Sequence, residues 1–299
     1  MADASYGDRS YIFQKCLRDC KKTNCTEDER FYQEQPLAEW LLQWTCPEEC
    51  SYRCMWSTVD AFRKDGLEVP QFHGKWPFIR VFGIQEPASV VFSLLNGLCH
   101  LRIFTLRAQV PSRTPMFYVW HGLALVGFHA WMWAAIFHSR DTYFTEVMDY
   151  FCAFSLVLYN VFTLYCRILG TSPLWRPLTC GVVLVAVFIQ HTCYLAFVNF
   201  DYGYNMQVNA GIGFTNVIGW IIWSFLHYKR QRYVWKCVVT VVVINALIAL
   251  ELGDFAPLWW TFDAHSLWHA GTVSLGWLWY SFIIDDSVYV LKQMSKKKS

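Results

Sequence analysis

His265 and His269 stand four residues apart in "FDAHSLWHAG" (residues 262–271), inside one of the most apolar stretches of the chain. Four residues is close to one helical turn, so on a helix the two imidazoles share a face. A pair spaced in this way can bind one metal ion, as the two histidines of an H-E-x-x-H helix do. His138, at the end of another apolar run, would supply a third nitrogen. Three histidines leave the fourth position of a tetrahedral zinc open, the arrangement of a catalytic site. Zinc held there lowers the pKa of a coordinated water to about 7, which makes a nucleophile available near neutral pH. Asp149, in the first turn of the next apolar run, is placed to accept a proton from that water or to orient it. Asp263 could steady a ligating imidazole, or cap a helix. His121, His129 and His191 read instead as packed, hydrogen-bonded residues of apolar helices, and His73 as a packing residue of the polar N-terminal region.

The elements that must deliver these groups follow from composition. Of 299 residues, 55% are hydrophobic and 16% charged, against roughly 25% charged in a soluble domain. That balance predicts an all-α membrane protein. Seven apolar runs, at 88–106, 117–138, 147–168, 178–198, 206–227, 235–252 and 261–284, each approach the roughly 20 residues that a bilayer requires. The expected organisation is a Cys-rich domain over 1–85, a seven-helix membrane domain over 86–286 and a basic tail over 287–299. The loops after runs 1, 3 and 5 and the tail carry Arg102, Arg107, Arg113, Arg167, Arg176, Lys229, Arg230, Arg232, Lys236, Lys292, Lys296, Lys297 and Lys298. The alternate loops hold Arg140 among five acidic residues. The positive-inside rule then predicts a lumenal N-terminus and a cytosolic C-terminus. In that topology His138, Asp149, Asp263, His265 and His269 share a layer roughly 10 Å deep at the lumenal side. His100 and His227 lie toward the cytosolic ends.

The cysteines support this orientation. Cys16, Cys20, Cys25, Cys46, Cys50 and Cys54 fall in the first 54 residues, and the other six lie in apolar runs. Six cysteines in a short polar region read as a disulfide framework in an oxidising compartment, with fifteen connectivities open. Two Cys-x3-Cys pairs, 16/20 and 46/50, could staple two short helices. Asn24-Cys25-Thr26 is an N-glycosylation sequon, a second mark of a lumenal segment. "MADASYGDRS" has no apolar signal segment, so the numbering is expected to begin at a mature chain behind a supplied Met1. In the tail, Lys296 and Lys297 occupy the positions of a dilysine retrieval signal or serve as stop-transfer charge. No Gly-rich phosphate loop is present, and nothing in the charge pattern points to nucleic acid.

"FHSRDTYFTEVMDYFCA" (137–153) and "DAHSLWHAG" (263–271) resemble the two signature blocks of the CREST superfamily of seven-span hydrolases and receptors. "VPQFHGKWPF" (69–78), "QEPAS" (85–89) and "FDYGYN" (200–205) extend the resemblance, over nearly the whole chain, to its branch that remodels the lipid of GPI anchors. The resemblance implies a Zn2+-dependent, phospholipase A2-type hydrolysis of the sn-2 acyl ester of GPI phosphatidylinositol. GPI-anchored proteins and membrane lipids would be the partners, in the Golgi with possible cycling to the ER. Carried over by position, the metal ligands fall on His138, His265 and His269, and the acidic residue on Asp149. The superfamily also places a Ser one turn before the first histidine, where this chain has Ala134. Either Ala134 is an introduced substitution that holds the chain inactive, the preferred reading, or this chain works without that hydroxyl. The alternatives are a seven-span lipid receptor or sensor, a proton-relaying transporter, and a non-catalytic scaffold for GPI-anchored proteins. The crowding of polar groups at one membrane face argues against the transporter.

Overall fold

The computed structural model describes residues 5–105, 110, 112–251 and 253–296. Among these it is all-helical, with four isolated β-bridges and no strand. The helices are α1 (Tyr6–Arg9), α2 (Tyr11–Asn24), α3 (Leu37–Leu41), α4 (Cys46–Lys64), α5 (Pro87–Thr105), α6 (Phe117–Ser139), α7 (Tyr143–Leu169), α8 (Trp175–Phe197), α9 (Tyr202–His227), α10 (Trp235–Glu251) and α11 (Ala264–Lys296). The chain divides into two compact units. One comprises Met1–Ala88, His138–Arg140 and Gly253–Ala264, and the other Ser89–Phe137, Asp141–Leu252 and His265–Ser299.

The first unit is built on α2 and α4. Ser10 caps α2 by accepting from the amide of Phe13 at 3.2 Å. At the start of α4 the amide and hydroxyl of Thr45 both donate to Glu48 at 2.8 Å. Cys16 and Cys20 lie one turn apart on α2, and Cys50 and Cys54 one turn apart on α4. Each i, i+4 pair therefore lines one helix face. The bridges are Cys16–Cys54, Cys20–Cys50 and Cys25–Cys46, a nested ladder closing 38, 30 and 21 residues. The matching pair on α4 is thus 50/54 rather than 46/50, with Cys46 taken by Cys25 beyond the end of α2. Phe13, Cys54, Val59 and Phe72 form the buried centre, with Trp56 and Trp260 against it. Gly7 passes so close to Gln71 that a Cβ would lie 2.5 Å from its carbonyl oxygen, and the Gly7 amide donates there at 3.0 Å.

The second unit holds α7–α10 complete, together with most of α5, α6 and α11. Helices occupy all seven apolar runs. α7 begins four residues earlier than expected, where Thr142 accepts from the Thr145 amide, and α11 continues to Lys296. Five helical segments among the described residues are long and apolar enough to cross a membrane: 117–139, 143–169, 175–197, 202–227 and 232–250. The apolar part of α5, Pro87–Ile103, is shorter. α11 is not one of the five, because His265, His269, Asp285, Asp286 and several hydroxyl residues dilute its apolar character. Of the tail lysines, Lys297 and Lys298 lie outside the described residues, as does Arg107. α8 leaves Leu178, Val182, Val185 and Ile189 exposed, an apolar surface of the kind that faces lipid or another protein.

The packing of this unit centres on Trp120, Trp220, Trp223, Tyr280 and Phe282. Its buried acid, Asp286, is held by a two-pronged ion pair from Arg167 at 2.8 Å and by the Tyr233 hydroxyl at 2.8 Å. Lys236 reaches Asp285 at 2.5 Å. A buried charge persists only when partnered in this way.

Each nested disulfide closes a loop long enough to stabilise the first unit by about 2–4 kcal/mol. Replacing Cys16 and Cys54 together by Ser should lower its stability by that amount. Urea unfolding followed by tryptophan fluorescence would read this as an earlier midpoint for the first transition.

Candidate metal centre

Helix α6 ends at Ser139, so its last carbonyls have no intrahelical partner. The chain just ahead of α5 supplies them: the amide of Glu86 donates to the His138 carbonyl at 3.0 Å and that of Gln85 to the Ser139 carbonyl at 3.1 Å. This places the Glu86 carboxylate against the His138 ring, with Oε2 accepting from Nδ1 at 2.7 Å. Lys75 lies 3.5 Å from the other oxygen. Both His138 and Glu86 are buried.

Arg140 secures the same short segment. Its guanidinium donates to the Leu42 carbonyl at 3.1 Å and to Glu48 at 2.6 Å, and sits 3.9 Å from the Trp44 ring centroid. Arg80 packs on the same indole at 3.4 Å and on Tyr52 at 4.1 Å, and pairs with Glu49 at 3.1 Å. Burial pushes the Arg80 guanidinium down to about 10, opposed by the Glu49 charge. Burial would raise the Glu48 carboxyl, but the Thr45 amide and Arg140 outweigh it and hold Glu48 below the usual carboxylate range.

His265 and His269 occupy the first two turns of α11, with their Nε2 atoms 2.9 Å apart. The Nδ1 of His269 lies 3.0 Å from the hydroxyl of Ser93 on α5, and the Asn96 amide donates to the His269 carbonyl at 2.9 Å. Trp131 meets the His269 ring edge-on at 5.2 Å. His269 and Ser93 are buried.

His265 and His269 thus form a close pair of imidazoles within the second unit, and His138, with Glu86 on its ring, stands in the first. Asp149 is half-buried in the second turn of α7, Ala134 is buried on α6 one turn before His138, and Asp263 directly precedes α11. Cys25, Cys46 and Cys50 are also close enough to hold a metal, but their sulfurs are committed to disulfides. Asn24 is exposed at the end of α2. The remaining apolar-helix histidines have protein partners: His100 with Tyr280 at 2.8 Å, His121 with the Phe117 carbonyl at 2.8 Å, His129 with Trp133 at 3.1 Å, His191 with Asn205 at 3.0 Å and His227 with the Trp223 carbonyl at 2.7 Å.

The family model described as the Per1-like family matches residues 36–287, a stretch that holds α3 to α10, most of α11 and all three histidines. The chain belongs to the Per1-like family. It is 45% identical over 97% of its length to a Danio rerio protein named GPI-specific phospholipase A2-like PGAP3, covering 93% of that protein. A Homo sapiens protein of the same name is 41% identical, over 99% of this chain and 94% of its own length. The Drosophila melanogaster protein named Post-GPI attachment to proteins factor 3 is 38% identical, over 94% of this chain and 88% of its own length. No solved structure matches. Within this Per1-like chain, Glu86 and Ser93 escaped sequence reasoning because they lie 52 and 176 residues from the histidines they touch. Glu86 lay inside the "QEPAS" string, which carried no spacing signal for a role.

Because the Glu48 carboxyl is held below its ordinary value of 4.5, its contribution to the first unit is complete above that pH. It fades as pH falls below 4.5 through the folded value. Acid unfolding of the purified chain, followed by tryptophan fluorescence, should therefore begin below that pH, and Glu48→Gln should flatten this part of the profile.

Proposed function

We propose that this chain is a metal-dependent ester hydrolase that removes the sn-2 acyl chain from the phosphatidylinositol of GPI anchors. The observation that carries the reading is the pair His265 and His269, whose Nε2 atoms lie 2.9 Å apart, and the family resemblance assigns the third ligand position to His138. The donor chemistry fits zinc. Two nitrogens at about 2.0–2.1 Å from a tetrahedral zinc lie about 3.3 Å apart, and the Nε2 atoms of His265 and His269 are within a few tenths of an ångström of that spacing. Two ring nitrogens on the other side, Nδ1 of His138 and of His269, already have oxygen partners. The names of the relatives, GPI-specific phospholipase A2-like, supply the substrate and bond class.

His138, His265 and His269 would hold the metal. Bound there, zinc would lower the pKa of a water to about 7 and polarise the ester carbonyl. Asp149 is assigned the proton work: it takes the proton of the attacking water and returns it to the departing glycerol oxygen. Ala134 offers a methyl group where a hydroxyl would stabilise the developing oxyanion, an omission that costs about 10²–10³ in rate. Asp263 would steady a ligating imidazole or cap the start of α11. The seven-span topology, with the disulfide unit and glycosylated Asn24 in the lumen and the C-terminus in the cytosol, belongs to the same proposal, as does residence in the Golgi with cycling to the ER. It is supported by the basic residues of alternate loops and the three disulfides.

Ala134 also favours a second reading, a zinc-holding but non-catalytic sensor or scaffold for GPI-anchored proteins. Turnover separates the two. The full chain, incubated in mixed micelles with a GPI-anchored reporter, should release free fatty acid and leave a lyso-form lipid by mass spectrometry. His138→Ala should abolish release, and Ala134→Ser should raise it by about 10²–10³. A zinc-loaded chain with no turnover in either the parent or Ala134→Ser would establish the non-catalytic reading.

A further inference from the structure

A neutral imidazole has one N–H and one lone pair, so it can ligate through Nε2 only when the proton sits on Nδ1. Two such protons are addressed by oxygen atoms from a single short stretch of chain. Glu86, the residue before α5, presents Oε2 at 2.7 Å from Nδ1 of His138. Ser93, two turns into α5, presents Oγ at 3.0 Å from Nδ1 of His269. All four residues are buried, so water does not compete for these contacts. The local geometry fixes both oxygens in place. The Glu86 amide is anchored on the His138 carbonyl. Asn96, one turn after Ser93, is anchored on the His269 carbonyl and on the Phe92 carbonyl at 2.9 Å.

We propose that Glu86 and Ser93 are positioning residues of the metal centre, each fixing the tautomer and ring orientation of one ligating histidine. The inference rests on the metal reading of the three histidines and adds to it the role of α5, a helix that carries none of them. Each oxygen accepts the Nδ1 proton and directs the Nε2 lone pair to the opposite side of the ring. In His269, that side is where His265 lies. Lys75, on the other oxygen of Glu86, steadies the carboxylate without touching the ring.

The test is zinc affinity of the full chain in detergent, measured by competition with a chromophoric chelator, for the parent and for Glu86→Ala, Glu86→Gln, Ser93→Ala and Lys75→Ala. Loss of such a partner weakens metal binding by about 10–100-fold. Glu86→Ala and Ser93→Ala should each show a loss in that range. Glu86→Gln should recover most of it, since its amide oxygen still accepts the Nδ1 proton, and Lys75→Ala should stay near the parent. The melting temperature of each metal-free chain separates positioning from a general structural role, and should not fall in step with affinity. Parent-like affinity in both Glu86→Ala and Ser93→Ala would overturn the inference while leaving the metal reading standing. So would an equal loss in Lys75→Ala, or affinity that merely tracks the melting temperature. A parent chain that takes up no zinc would overturn both.

Discussion

The hydrogen bond between His138 and Glu86 carries more of the local architecture than its single 2.7 Å contact implies. A carboxylate in a buried setting must be partnered or give up its charge. Glu86 is partnered by the His138 ring and by Lys75. The backbone amides of Gln85 and Glu86 at the same time satisfy the carbonyls that α6 leaves open. The end of α6 and the entry to α5 are therefore one hydrogen-bonded unit, and the ring of His138 inherits its orientation from that unit.

The disulfide-bonded part of the first unit reaches this junction through Arg140. The Trp44 indole takes Arg140 and Arg80 on its ring, while Glu48 and Glu49 neutralise them. Trp44 itself donates to the carbonyl of Gly83, whose φ of +76° is one that glycine accepts without strain. The ladder of three disulfides fixes α2 against α4, and the start of α4 supplies the acids. A small domain of this kind lacks the apolar core to hold buried cations unaided. Cross-links, aromatic faces and acid partners together do so here.

Much of this was legible in the sequence, because the signals were local. The i, i+4 histidine pair, the seven apolar runs and the clustered cysteines are patterns with fixed periods, and the observed helices follow them closely. The nested disulfide ladder was not legible, since spacing alone left fifteen pairings and made 46/50 look as good a helix pair as 50/54. The polar cluster around Asp286 was missed because α11 was expected to stop at 284, before the acid that Arg167 and Tyr233 bury. Glu86, Ser93 and Arg140 act across long sequence separations, and no periodicity connects them to a histidine. What decides their role is which carbonyl and which ring nitrogen lack a partner, a question that only three-dimensional placement answers.

The most direct test of the central claim is the metal content of the full chain, purified gently without chelator, beside a His265→Ala/His269→Ala variant. Close to one zinc per parent chain and none in the variant is expected, with both chains retaining the disulfide-bonded unit. Absence of metal from the parent, or equal metal in parent and variant, would contradict the three-histidine centre and the hydrolytic chemistry assigned to it.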